Sequence, residues 1–281
     1  MRYRRPALDW LSHGLLLLCV VAFCLPVWMA LTASTHTQTA LYTGTAPLWF
    51  GGEGLSNFIG VLTAPMDRLG ASAARLLWNS TVMALGIAVG KIAISILAAY
   101  AIVFFRFPLR RTCFWLIFIT LMLPIEVRIM PTYKVAADLN LLNSYIGLIL
   151  PLIASATATF LFRQFYLTVP NELLEAARVD GAGPWRFLRD ILLPLSKTNI
   201  AALFVIMFLY GWNQYLWPLL ITTDDHYLTT VVSLKRISAA SDELIPWQEV
   251  MATTLLAMLP PVAVIVVLQR FFVKGLVDSE K

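Results

Sequence analysis

The chain has 281 residues, 59% of them hydrophobic and only 13% charged, with a formal net charge of +5 and a mean hydropathy of +0.76. Soluble chains carry about 25% charged residues, so a water-soluble enzyme with one buried core is excluded. Intrinsic disorder is excluded too, because apolar surface this abundant must be buried somewhere. A polytopic, all-α membrane protein remains, in which each span needs about 20 apolar residues.

Six apolar helices are predicted in chain order, at about 10–32, 78–105, 113–130, 143–165, 198–221 and 250–272. The first follows Arg2, Arg4 and Arg5 in the manner of a signal peptide, but it is too long and meets no small-residue cleavage site, so it reads as a retained span. The third is broken near Pro124. The segment 33–77 reads as a loop with one short helix, and 222–249 as a second loop carrying Asp224, Asp225, Asp242, Glu243 and Glu249. Fourteen of the 21 Lys and Arg fall in the termini and in the loops after spans two and four, and six fall in the alternate loops. Positive loops stay in the cytoplasm, so both termini are expected inside. That distribution also accounts for the basic balance better than nucleic acid does. Cys19, Cys24 and Cys113 lie in apolar runs and read as small fillers. The three histidines stand far apart, with no ligand at metal-binding spacing.

The densest group of unusual residues is in the loop 168–197, TVPNELLEAARVDGAGPWRFLRDILLPLSK. Pro170 sits where a helix begins without losing a hydrogen bond. Strong helix formers run from Asn171 to Asp180, with Glu172 and Glu175 near the positive end. Gly181 supplies a left-handed closing residue. A second short helix starts at Gly183-Pro184, with Trp185, Leu188 and Leu192 on one face and Pro194 as its stop. A helix–turn–helix on the cytoplasmic membrane face is predicted, cornered at Gly181-Ala182-Gly183.

The run Glu175-Ala176-Ala177, then Gly181, then Ile191-Leu192-Leu193-Pro194 at this spacing resembles the coupling motif of ABC importer permeases, and Asp180-Gly181-Ala182 resembles its sugar-type form. The segments FRFPLR, ITLMLP, SATATFLFRQF, YGWNQYLWPLL and GLVDSEK look like the glycerol-phosphate branch of the maltose-type family. The resemblance implies a complex of two different permeases, two copies of one ATPase and a periplasmic substrate-binding protein, set in the bacterial inner membrane. It implies alternating access driven by ATP, with ATP and Mg used by the partner ATPase and no cofactor bound by this chain. No Walker motif occurs here. ATPase coupling would fall to Glu172, Glu175, Ala176, Ala177, Arg178, Asp180, Gly181 and Ala182. The tail Phe272–Lys281 is similar in length to that of the maltose-type permease, which inserts along the ATPase dimer interface, but it ends in Asp278-Ser279-Glu280-Lys281 where that tail is glycine-rich.

Polar residues within spans are the candidates for a substrate path. A central lysine costs about 2.5–3.5 kcal/mol on insertion scales, so Lys91 must face protein or water. Either it meets an anionic phosphate ester or it packs between helices. Gly86 and Gly90 point to close helix packing. Glu126 and Arg128 lie by the prolyl break, as a gate or as an interfacial ion pair. Asn213 and Gln214 either line the path or bond neighbouring helices. Trp10, Trp28, Trp78, Trp115 and Trp217 read as interfacial anchors. Two alternatives stand beside the glycerol-phosphate reading: a permease for a neutral sugar, and an integral-membrane transferase.

Overall fold

The computed structural model describes residues 6–43, 47–66, 69–120, 125–239 and 244–278. Arg2, Arg4, Arg5, Arg68, Pro124, Asp242, Glu243 and the tail residues 279–281, on which expectations above rest, lie outside the described residues. The side chains of Glu126 and of residues 270–278 do as well.

Helices account for all the regular structure described. In chain order they are α1 (Pro6–Ala33), α2 (Gln38–Thr43), α3 (Gly54–Thr63), α4 (Ala73–Phe104), α5 (Arg110–Ile119), α6 (Ile125–Asp138), α7 (Tyr145–Ile149) and α8 (Ala156–Leu167). There follow α9 (Asn171–Val179), α10 (Pro184–Phe187), a π turn at Leu188–Leu192, α11 (Leu193–Leu195), α12 (Lys197–Trp212), α13 (Leu216–Ile221), α14 (Thr230–Ser238) and α15 (Trp247–Asp278). Three are long and apolar enough to cross a membrane: Trp10–Ala33, Ala73–Phe104 and Trp247–Gln269. Two bent pairs raise the number to five among the described residues, with bends of 50° and 74°. Six were read from the sequence.

The breaks have chemical causes. Pro151 sits in the tight turn Leu150–Leu152 after α7, where it has no N–H to give to a continuing helix. Ser155 then accepts from the Ala158 N–H and restarts the chain as α8. The segment expected as one span over 198–221 is likewise two helices. Pro218 cannot donate four residues back, and the amides of Asn213 and Gln214 turn onto the carbonyls of Leu209 and Tyr210 at 2.9 and 3.1 Å. In the expected third span, α6 begins at Ile125 and runs on to Asp138, so Arg128 opens a helix.

Cα packing divides the chain into two units, residues 76–232 with 260–281, and residues 1–75 with 233–259. In the larger unit, one core joins Ala84, Ala88, Ile92 and Ile96 of α4 to Phe162 of α8 and Phe208 of α12. The helices come close where side chains are small. A Cβ on Gly211 would lie 2.9 Å from the Ala84 Cα, and one on Gly90 2.5 Å from the Ile153 side chain, as the small-residue pair in α4 predicts. Ser95 and Thr159 add a hydrogen bond of 3.2 Å between α4 and α8. A second core packs Met83 and Ile87 against Leu148, Ile221 and Trp217. Trp217 is only 2% exposed and donates to the Gly147 carbonyl at 3.1 Å. It is a core residue, unlike Trp10, Trp78 and Trp115, which are exposed. Its place in the broken second half of the segment turns it inward.

Asn79 clamps the segment after α13 onto α4. It is fully buried, donates to the carbonyls of His226 and Leu228 at 2.8 and 2.9 Å, and accepts from the Tyr145 hydroxyl. Asn79→Leu keeps the volume but strands the carbonyls of His226 and Leu228, of which the buried one at Leu228 costs about 1–3 kcal/mol. The variant is expected to lower the denaturation temperature of the detergent-purified protein; an unchanged temperature would dismiss the clamp.

In the smaller unit, the segment expected as a loop with one short helix holds two, α2 and α3. Its turns are tied down: the Thr32 hydroxyl donates to the Pro47 carbonyl at 2.7 Å, Asn57 donates to the carbonyls of Ser34 and His36, and Tyr42 donates to the Ile245 carbonyl. From Trp10 to Phe23, α1 is exposed on every side. Cys19, Cys24 and Cys113 are exposed free thiols.

Candidate functional site

Two places collect the residues singled out above. The first is the hairpin. Pro170 precedes α9 as its cap, and Glu172 lies in the first turn. Glu175 stands mid-helix, so only Glu172 gains from the positive end. At the other end Asp180 is the cap, Gly181 has φ +71° and Ala182 follows. The Ala182 N–H donates to the Ala177 carbonyl at 2.8 Å and the Gly181 N–H to the Arg178 carbonyl at 3.0 Å. That pair of bonds is the Schellman closure. The spacing from Ala177 to Gly181 and Ala182 is therefore the spacing a left-handed helix stop demands.

The hairpin is seated firmly. Ala177 is buried in the main core with Phe187, Leu188 and Leu192, and the Tyr100 hydroxyl of α4 donates to the Pro184 carbonyl at 2.8 Å. Pro194 does not stop the second helix, which continues through Leu195. The π turn before Pro194 uses wider spacing and relieves the missing donor, and it brings Phe187 rather than Trp185 to the buried side. Trp185 is 68% exposed and Val179 is 87% exposed. Ala176, Glu172 and Glu175 are exposed with them. Apolar side chains presented at the tip of a rigid hairpin form a surface suited to a partner. The sequence carried this signal as apolar residues on the polar side of α9. Glu175, Arg178 and Ala182 also line a cleft of about 900 Å³ with Arg106 and Arg110.

The second place lies between α4, α6 and α12. Lys91 is 6% exposed, and its Nζ lies 3.6 Å from the centroid of the Tyr210 ring. Arg128 is within electrostatic range of both Lys91 and Tyr210, and the Gln214 side chain reaches the Tyr210 hydroxyl. Lys91, Arg128 and Gln214 thus gather around Tyr210, a residue the sequence reading passed over. Its one signal was an aromatic four positions before Gln214. Asn213 is exposed, and both amides bond within their own helix end rather than across to a neighbour. Glu126 belongs to α6, two residues before Arg128. A cation over an aromatic ring, with an exposed second cation within electrostatic range, suits an anion with several oxygens. Among the described residues no group of acids, thiols and imidazoles forms a metal-binding set.

Residues 91–278 match the family described as binding-protein-dependent transport system inner membrane component. The chain is 55% identical over 279 residues to the sn-glycerol-3-phosphate transport system permease protein of Rhizobium meliloti strain 1021, covering 99% of each chain. It is 54% identical over 277 residues to the protein of the same description from Escherichia coli O157:H7, again over 99% of each. In fold it is similar, with a TM-score of 0.83 at 20% identity, to a crystal structure of a bacterial ABC transporter involved in the import of the acidic polysaccharide alginate. That likeness covers 97% of this chain and 99% of the other.

Proposed function

The chain belongs to the inner-membrane components of binding-protein-dependent transport systems, and we propose from this that it is the permease subunit carrying sn-glycerol 3-phosphate inward in an ATP-driven importer. Its role is transport rather than catalysis. The observation that carries the substrate is identity of 54–55% along the full length of sn-glycerol-3-phosphate permeases. The cationic group at Lys91 and Arg128 supports the same reading, because a phosphate ester brings the charge and oxygens those residues would bind. A neutral sugar would leave two cations without an anion, which disfavours that alternative.

In this reading a soluble binding protein delivers substrate from the periplasm, and a second, different permease completes the pathway. Two copies of an ATPase hold ATP and Mg, and this chain holds no cofactor. Closure of the ATPase pair would push on Glu172, Glu175 and the exposed Val179 and Trp185 of the hairpin. Because Ala177, Phe187 and Leu192 seat that hairpin in the core, the push is transmitted to α4, α8 and α12 and tilts the bundle between outward and inward openings. Both termini and the hairpin lie in the cytoplasm, as the Lys and Arg distribution supports.

Deleting the chain from its host should abolish uptake of radiolabelled sn-glycerol 3-phosphate and spare uptake of neutral disaccharides; the opposite pattern would assign a sugar. In a cysteine-free background, Ser56→Cys should react with an impermeant maleimide in intact cells, and Ala176→Cys only after permeabilisation. Labelling of Ala176→Cys in intact cells would invert the topology.

A further inference from the structure

A second basic recess adjoins the hairpin cleft, shares Arg110 with it and opens on its other side toward α5. It has a volume of about 530 Å³ and opens where α5 meets the end of α8. Three guanidinium groups border it, from Arg110, Arg111 and Arg163, and its walls are aromatic, from Phe114, Trp115 and Phe160 among others. Among the described residues no carboxylate lines it. The Arg163 guanidinium carbon lies over the Phe114 ring, 4.1 Å from its centroid. Its Nε is buried and has no hydrogen-bond partner. Arg110 spends one donor on the Phe105 carbonyl at 3.3 Å, which leaves the rest of its fork available. A buried donor without an acceptor is unfavourable, so the recess is incomplete as it stands.

We infer that this recess holds the headgroup of an anionic glycerophospholipid, with the acyl chains lying along Trp115 and the exposed apolar side of α5. Charge selects the headgroup: three cations without an acid would oppose burial against a neutral surface. The aromatic walls and the exposed Trp115, Leu116 and Ile119 select a molecule with hydrocarbon attached over a free phosphate. Basic pockets between helices at a membrane edge are suited to such lipids. The inference does not depend on which substrate the chain transports. Under the orientation proposed above the leaflet is the cytoplasmic one, but the test reads the headgroup, not the leaflet.

The test uses the intact transporter in phosphatidylcholine vesicles doped with dibrominated phosphatidylglycerol or dibrominated phosphatidylcholine. Quenching of the Trp115 contribution is taken as the difference between the native chain and Trp115→Phe. Half-maximal quenching is expected at about tenfold lower mole fraction of the anionic lipid. Arg111→Gln combined with Arg163→Gln should bring the two curves together, while Arg106→Gln, outside the recess, should leave them apart. Should Arg163→Gln disturb packing on Phe114, Arg111→Gln alone, an exposed change, should still narrow the separation. Coincident curves in the native chain, or a separation that survives the arginine variants, would overturn the inference. Loss of the separation on adding inorganic phosphate at constant ionic strength would reassign the recess to a soluble anion, and quenching by neither lipid would show that a partner subunit covers it.

Discussion

Gly181→Val is expected to reduce uptake roughly tenfold or more while the chain still inserts and its bundle still forms. The corner residue has φ +71°, and nothing lies within 4 Å of where its Cβ would stand. Crowding by neighbours is therefore not the obstacle. The obstacle is the left-handed backbone itself, which costs an L-residue about 1–2 kcal/mol and a β-branched one more. That is enough to break two Schellman bonds on an exposed corner and re-aim α9. Gly181→Asn, which tolerates the left-handed region, should keep most of the uptake, with Gly181→Ala between. In the proposed assembly retention of the ATPase should fall only in part, since the second permease would still dock through a loop of its own. Hydrolysis stimulated by loaded binding protein should fall severely, while that protein's affinity for substrate stays the same. Normal uptake and stimulated hydrolysis with valine in place would remove the hairpin from the coupling path.

Lys91→Met should lower uptake of sn-glycerol 3-phosphate by about ten- to a hundredfold, the equivalent of a hydrogen bond to a charged group worth about 1.5–3 kcal/mol. Methionine keeps the length and a favourable contact with the Tyr210 ring, so assembly should survive. What disappears is a cation in a span, whose burial the ring offsets by about 2 kcal/mol. Tyr210→Phe preserves the ring face and should cost far less than Tyr210→Leu. An assembled transporter with full uptake in Lys91→Met would return Lys91 to a packing role between α4 and α12.

The hairpin was legible because its rules are local. A Glu-Ala-Ala run followed by glycine at the left-handed position encodes a helix and its stop within twelve residues. Even there, Pro194 misled, since a π turn absorbs a missing donor that an α-turn would not. The group around Tyr210 was not legible as a group. Lys91, Arg128 and Gln214 each stand out in the sequence only as polarity in or beside an apolar run, and it is the crossing of α4 with α6 and α12 that brings Lys91 and Gln214 to one ring with Arg128 in electrostatic range. The same holds for Trp217 and Asn79, whose partners lie about 70 and 150 positions away along the chain. Apolar length marked where spans run, and Pro151 and Pro218 then bent or split two of them. An apolar count weighs only the side chain and misses the lost donor.

The bare flank of α1 has an evolutionary consequence. Its side chains from Trp10 to Phe23 are exposed, so within this chain no facing residue reads their shape. Selection there acts on a sum over the segment rather than on any one letter. Leucine, valine and phenylalanine should be interchangeable along it and their order free to drift. The match to the transport family begins only at residue 91, inside α4, a helix half of whose apolar stretch is buried against neighbours.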